Sequence, residues 1–124
     1  MYDRVDSSSV EPRSIDEIDP TLLPIGLELQ PERMRPSIWH YEQGEENTFH
    51  RHEEQEELYV VLEGTVDVTI EREGERDVIE LTTDDVLVVP PDSWRQLRAV
   101  ETSRILAVGA PNAPEDAIVE GSDG

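Results

Sequence analysis

His50 and His52 stand two residues apart, and Glu53, Glu54, Glu56 and Glu57 follow at once in the stretch FHRHEEQEELYVVLEG. Along a strand, residues i and i+2 project from one face, so the two imidazoles lie side by side. Neutral imidazoles so placed can share one divalent metal, and a carboxylate from the next strand makes a third ligand. Two histidines and one carboxylate leave coordination positions open for substrate or oxygen. The same HxH spacing also describes a histidine pair on a solvated acidic face. Taken alone, it favours that plainer reading.

The metal reading needs strands, and the flanking sequence offers them. GTVDVTIERE alternates, with Val66, Val68 and Ile70 on one face and Asp67, Thr69 and Glu71 on the other. REGER then makes a glycine turn and DVIEL returns, which predicts a hairpin over residues 65–81. DVLVVPP, RILAVGA, PSIWHYEQ and PIGLELQ read as further strands, the last with Ile25, Leu27 and Leu29 on one face. Prolines at 20, 24, 31 and 36 exclude a long helix near the start. Seven or eight short strands with turn residues between them predict an all-β sandwich or barrel. LYVVL and VLVV are apolar on both faces, so a second sheet or a partner subunit must cover what the barrel interior does not.

Spacing then identifies a family pattern. Gly44, His50, His52, Glu57 and Gly64 stand at the intervals of the first conserved motif of the cupin superfamily, which GEENTFHRHEEQEELYVVLEG resembles. DDVLVVPPDSWRQLRA resembles the second motif, with Asp84 and Asp92 at its glycine positions, Pro90 at its proline, Arg95 at its histidine and Ala99 at its asparagine. The resemblance covers residues 37 to 109. It implies a double-stranded β-helix, a small jelly-roll barrel around a small-molecule pocket. It also implies that Glu57, rather than Glu53, Glu54 or Glu56, joins His50 and His52 on a divalent metal (Fe, Mn, Zn, Ni or Co). Tyr59 and Val61 share the parity of Glu57 and are expected inside the barrel.

Arg95 stands where the pattern places a third histidine, and a guanidinium offers only donors, so it cannot ligate a metal. Three readings follow. The metal is held by His50, His52 and Glu57 alone, with Arg95 binding an anionic ligand beside it. Or there is no metal, and Arg95 pairs with Glu57 in a polar pocket. Or His40 supplies the replacement ligand, although between Trp39 and Tyr41 it reads more simply as a strand residue. A guanidinium beside a dication is costly, yet three intact ligands favour the first reading. Tyr59 and His40 are the candidates for proton transfer, and Arg98 is expected on the opposite face from Arg95. Cupin folds host isomerases, epimerases, dioxygenases and binding modules, so the resemblance leaves open whether this chain catalyses a reaction.

Composition narrows the partners. The 124 residues carry 30 acids against ten arginines and no lysine, a formal net charge of −20. Such a chain repels nucleic acid and anionic membranes, which both need cationic patches. An acidic, lysine-free surface fits adaptation to a very salty cytosol, where salt screens self-repulsion. There is no cysteine, hence no disulfide and no thiolate. No apolar run suits a membrane helix and no leader opens the chain, so a cytoplasmic protein is expected. The expected organisation is an acidic arm over residues 1–20, a barrel over 21–110 and an acidic tail over 111–124, assembled as a homodimer through PIGLELQ.

Overall fold

The computed structural model describes residues 2–15, 20–113 and 116–119. Among these residues a 3-10 turn at Ser7–Ser9, eleven strands and one short α-helix follow one another: β1 (Arg13–Ser14), β2 (Thr21–Leu23), α1 (Ile25–Leu29), β3 (Arg35–Tyr41), β4 (His50–His52), β5 (Glu56–Glu63), β6 (Thr65–Arg72), β7 (Glu75–Thr82), β8 (Val86–Val89), β9 (Trp94–Ala99), β10 (Ser103–Ala110) and β11 (Ala117–Val119). They form two antiparallel sheets, one in the order β1-β2-β3-β10-β5-β8 and the other β11-β4-β9-β6-β7. This is the expected jelly-roll barrel. No helix among the described residues is long and apolar enough to cross a membrane.

Alternating side chains fill the space between the sheets. Val66, Val68, Leu97 and Ala99 from one sheet meet Val61, Ile105 and Ala107 from the other, all buried. The predicted hairpin is β6–β7, paired from Thr65↔Thr82 to Arg72↔Glu75. Glu73 and Gly74 close it at φ of 54° and 82°, the two left-handed residues that a tight hairpin turn needs. At Gly64 the chain turns between β5 and β6 at φ 102°, and a Cβ there would sit 2.1 Å from Ser103 Oγ. Only glycine fits that corner.

PIGLELQ departs from expectation. It is α1 rather than a strand, so it cannot add to the sheet of a second subunit. Pro24 precedes the helix, and Gln30, held out of the helical region by Pro31, ends it at φ 49°. The apolar spacing fits this geometry as well: Ile25 and Leu29, four apart, share a helix face and pack with Val10 and Ile38, while Leu27 faces away and is 58% exposed.

The polar flanks also take part in the sheets. Val10 is buried and β1 pairs with β2, so the arm is tied down over these residues. At the other end, β11 pairs with β4, where a tail was expected. With two and three residues, both strands are too short to show a two-residue period. Residues 16–19 of the arm, and 114–115 and 120–124 of the tail, lie outside the described residues.

Candidate metal centre and cavity

Two strands bring the predicted ligands together, β4 with His50 and His52 and β5 with Glu57. β4 lies between β11 and β9, with His50 opposite both Val119 and Arg95, and His52 opposite Ala117. β5 belongs to the facing sheet and carries Glu57 opposite Gly109 and Val89. Ligand atoms of His50, His52 and Glu57 all lie within 4.8 Å of one another. Glu53, Glu54 and Glu56 are exposed. Parity along β5 separates Glu56 from Glu57, and Tyr59 and Val61 are buried as that parity requires.

Hydrogen bonds set the states of these groups. His50 Nδ1 lies 2.7 Å from the Thr48 carbonyl, which only accepts, so Nδ1 carries the hydrogen and Nε2 keeps its lone pair. Burial, with lesser help from the Arg95 and His52 charges, outweighs the Thr48 contact and holds the His50 pKa below its ordinary value. His50 is therefore neutral. Burial would push the Glu57 carboxyl up, but contacts with His52, Tyr59 and Arg95 prevail and leave it below the usual carboxylate range. Tyr59 donates its hydroxyl to Glu57 Oε1. Burial, then the Glu57 charge, raises Tyr59 well above the ordinary phenol value, so it stays protonated as a donor.

His52 supplies the sharpest test of fit. Both its ring nitrogens are buried without a hydrogen-bond partner among the described residues. Nε2 stands 3.5 Å from Glu57 Oε1 and Nδ1 stands 3.7 Å from Asp116 Oδ2. An unsatisfied buried imidazole is rare, and an ion is one of the few things that explain it. Two imidazoles, one fixed as the Nε2 donor, and an ionised carboxylate suit a first-row divalent cation. The donor set fits.

Asp116 and Gln55 escaped the sequence reading. Asp116 is buried and accepts from the backbone N–H of Glu54 and, at 2.7 Å, of Gln55. Its burial favours the neutral acid, but these bonds hold its carboxyl below the usual range. Among the many acids of PNAPEDAIVEGSDG nothing marks Asp116 out. Gln55 did carry a hint, as the one uncharged residue between Glu53 and Glu57. It is buried, donates to the Pro111 carbonyl at 3.0 Å, and lies where a Cβ on Gly109 would meet its Cδ at 2.3 Å.

Arg95 is brought beside the cluster but not into the pocket. It is wholly buried, and Nη2 donates to the carbonyls of Val89 and Pro90 at 3.4 and 3.0 Å. Nε and Nη1 have no hydrogen-bond partner among the described residues. Arg95 and Glu57 form no ion pair among the described residues. His40 is not brought to the site: its Nε2 lies 3.0 Å from Glu42 Oε1, and it is absent from the cavity wall. Arg98 is exposed on the other face of β9, as its parity predicts.

The cluster opens on a cavity of about 700 Å³ that also takes in Gln55, Tyr59, Trp39 and Ile105. That size suits a small organic molecule.

Comparison with known proteins agrees. A cupin domain is matched over residues 37–109. No curated protein sequence matches. Among solved structures, a sugar phosphate isomerase of the cupin superfamily from Silicibacter pomeroyi superposes with a TM-score of 0.78 at 20% identity, covering 97% of this chain and 83% of that one. KdgF from Halomonas sp. gives 0.70 at 18% identity, covering 86% and 92%. A variant of oxalate decarboxylase from Bacillus subtilis gives 0.77 at 18% identity and covers 93% of this chain, which spans 31% of that longer protein. At such identities the likeness shows the fold alone, whereas the domain match covers most of the barrel: the chain belongs to the cupin family.

Proposed function

We propose that this cupin holds a divalent metal through His50, His52 and Glu57 and binds a small molecule in the cavity beside it. The observation that carries this reading is the buried His52 ring, unsatisfied at both nitrogens, beside a neutral His50 and an ionised Glu57. A metal bound there would act as a Lewis acid toward an oxygen of the ligand. Tyr59 would keep a proton directed at Glu57 and so hold that carboxylate's orientation, while Gln55, fixed by Asp116 and Pro111, would present its amide to the cavity. Isomerase, epimerase and dioxygenase chemistry all suit an open-sided site of this kind, and binding without turnover suits it equally. Elemental analysis of protein purified without a metal-affinity step should find about one first-row divalent ion per chain. His52→Ala should lower metal affinity by more than about 100-fold, beyond what loss of a supporting contact costs. Equal, trace metal in both proteins after dialysis would end this reading.

We also propose a homodimer, now through the outer face of β5 and edge strand β8 rather than through PIGLELQ. Val86 and Val88 on edge strand β8 are 60% and 52% exposed, and on β5 the same rows continue with Val60 and Leu58, while Leu106 beyond them on β10 packs against Val10, Ile25 and Ile38. No charge interrupts these rows, in a chain of net charge −20, and such a face is self-complementary about a two-fold axis. Sedimentation in molar KCl should give twice the chain mass, and Val88→Asp should halve it. A monomer at micromolar concentration refutes the dimer.

A further inference from the structure

The cavity wall says what kind of molecule the site takes. Although the chain carries 30 acids and ten arginines, among the described residues the charged ones on this wall besides the two histidines are Glu57 and Arg35. Arg35 is exposed and stands in the same row as Glu57, each of them paired with Gly109 between them. Arg95, the other cation near the cluster, is turned onto backbone carbonyls and does not line the cavity. A phosphate or a dicarboxylate is ordinarily gripped by several charge-assisted donors, and among the described residues this wall offers a single guanidinium, that of Arg35.

Apolar side chains dominate instead. Trp39, Leu22 and Ile105 form the wall, and the rim carries Leu27, Met34 and Val119, exposed by 58%, 45% and 41%. Large apolar side chains gathered at the rim of one cavity, on so acidic a surface, mark a place that something apolar covers.

We propose that the cavity binds an uncharged or singly ionised molecule with an aromatic or aliphatic body, its oxygen-bearing head directed to His50, His52 and Glu57. This narrows the expected polar or anionic ligand, and it rests on the metal reading for the head but not for the body. The body packs over the neighbouring Trp39 and Ile105 and passes the rim at Met34 and Leu27.

Two hydroxamates with one chelating head and different bodies test it. Benzohydroxamate should bind the metal-loaded protein about tenfold or more tighter than acetohydroxamate, relative to their ratio for the same free ion, because a phenyl ring buries more apolar area than a methyl group. Met34→Glu, at an exposed position that tolerates change, should erase most of that preference and leave acetohydroxamate unaffected. Leu27→Glu serves as the second variant. Equal affinity for the two hydroxamates, or displacement of benzohydroxamate by an equal concentration of glucose 6-phosphate, overturns the proposal. Should the protein hold no metal, neutral 2-naphthol decides the matter by ligand-observed NMR on the metal-free chain. Binding weakened several-fold by Met34→Glu then supports the apolar body while the metal reading fails, and no binding overturns both.

Discussion

The two halves of the cupin pattern have diverged in different ways. Residues 44–64 keep both glycines and all three candidate ligands, whereas residues 84–99 have aspartate for both glycines, arginine for the histidine and alanine for the asparagine. The backbone takes no notice of the difference. Gly44 and Gly64 lie at φ of 86° and 102°, and Asp84 and Asp92 lie at 76° and 72°. Aspartate is among the few side chains that tolerate the left-handed region, so both turns survive without glycine. Asp92 still donates its N–H to the His52 carbonyl at 2.9 Å, and the altered half therefore continues to position the intact one. Gly64 permits no such exchange, because any Cβ would collide with Ser103 and with the Thr102 carbonyl. A motif's turns and its ligands are thus separable requirements, and the second half has kept only the turns.

The largest way to test that separation is to return the lost ligand. Arg95 stands directly opposite His50 in the β4–β9 pairing. Arg95→His should offer a third imidazole and remove a cation from beside the metal, raising affinity about tenfold or more, roughly 1.4 kcal/mol. The same change takes away the donors that satisfy the Val89 and Pro90 carbonyls, so the metal-free variant should melt lower, by about 1–3 kcal/mol of stability. Competition with a fluorescent chelator and denaturant unfolding measure the two effects separately. Unchanged metal affinity would mean that position 95 no longer points toward the ligand cluster.

What was legible in the sequence follows the same division. β6 and β7 could be read residue by residue, because half-buried strands around a tight turn impose a two-residue period and a glycine. His50, His52 and Glu57 could be assigned because spacing within one motif survives in one dimension. Asp116 could not: it reaches His52 through a pairing of β11 with β4 across 64 residues of chain (116 − 52), and only the folded topology contains that proximity. PIGLELQ misled because Ile25, Leu27 and Leu29 satisfy a strand's alternation while Ile25 and Leu29 also satisfy a helix turn, and the flanking prolines settle the matter in favour of the helix. Arg95 was legible as a substitution but not as a placement. Its chemistry excluded ligation, yet nothing local indicated that it would cap two carbonyls.

The smallest expected effect sharpens the comparison most. If Asp92 serves only as a left-handed residue, Asp92→Gly should leave stability within about 0.5 kcal/mol of the parent. Glycine relieves the strain of φ 72° but makes the unfolded chain more flexible, and the two contributions are of similar size and opposite sign. The side chain's own contact, Arg51 Nη1 to Oδ1 at 3.4 Å on a carboxylate 67% exposed, adds almost nothing. Asp92→Val keeps the turn's geometry but forces a β-branched residue into the left-handed region, and should lose about 1–2 kcal/mol. Metal content should stay at the parental level in the glycine variant, since the N–H that reaches His52 belongs to the backbone and survives the exchange. A loss of more than 1 kcal/mol in Asp92→Gly by denaturant unfolding would show that the carboxylate, through Arg51 and the Trp94 ring beneath it at 5.6 Å, is holding the outer side of the ligand strand in place.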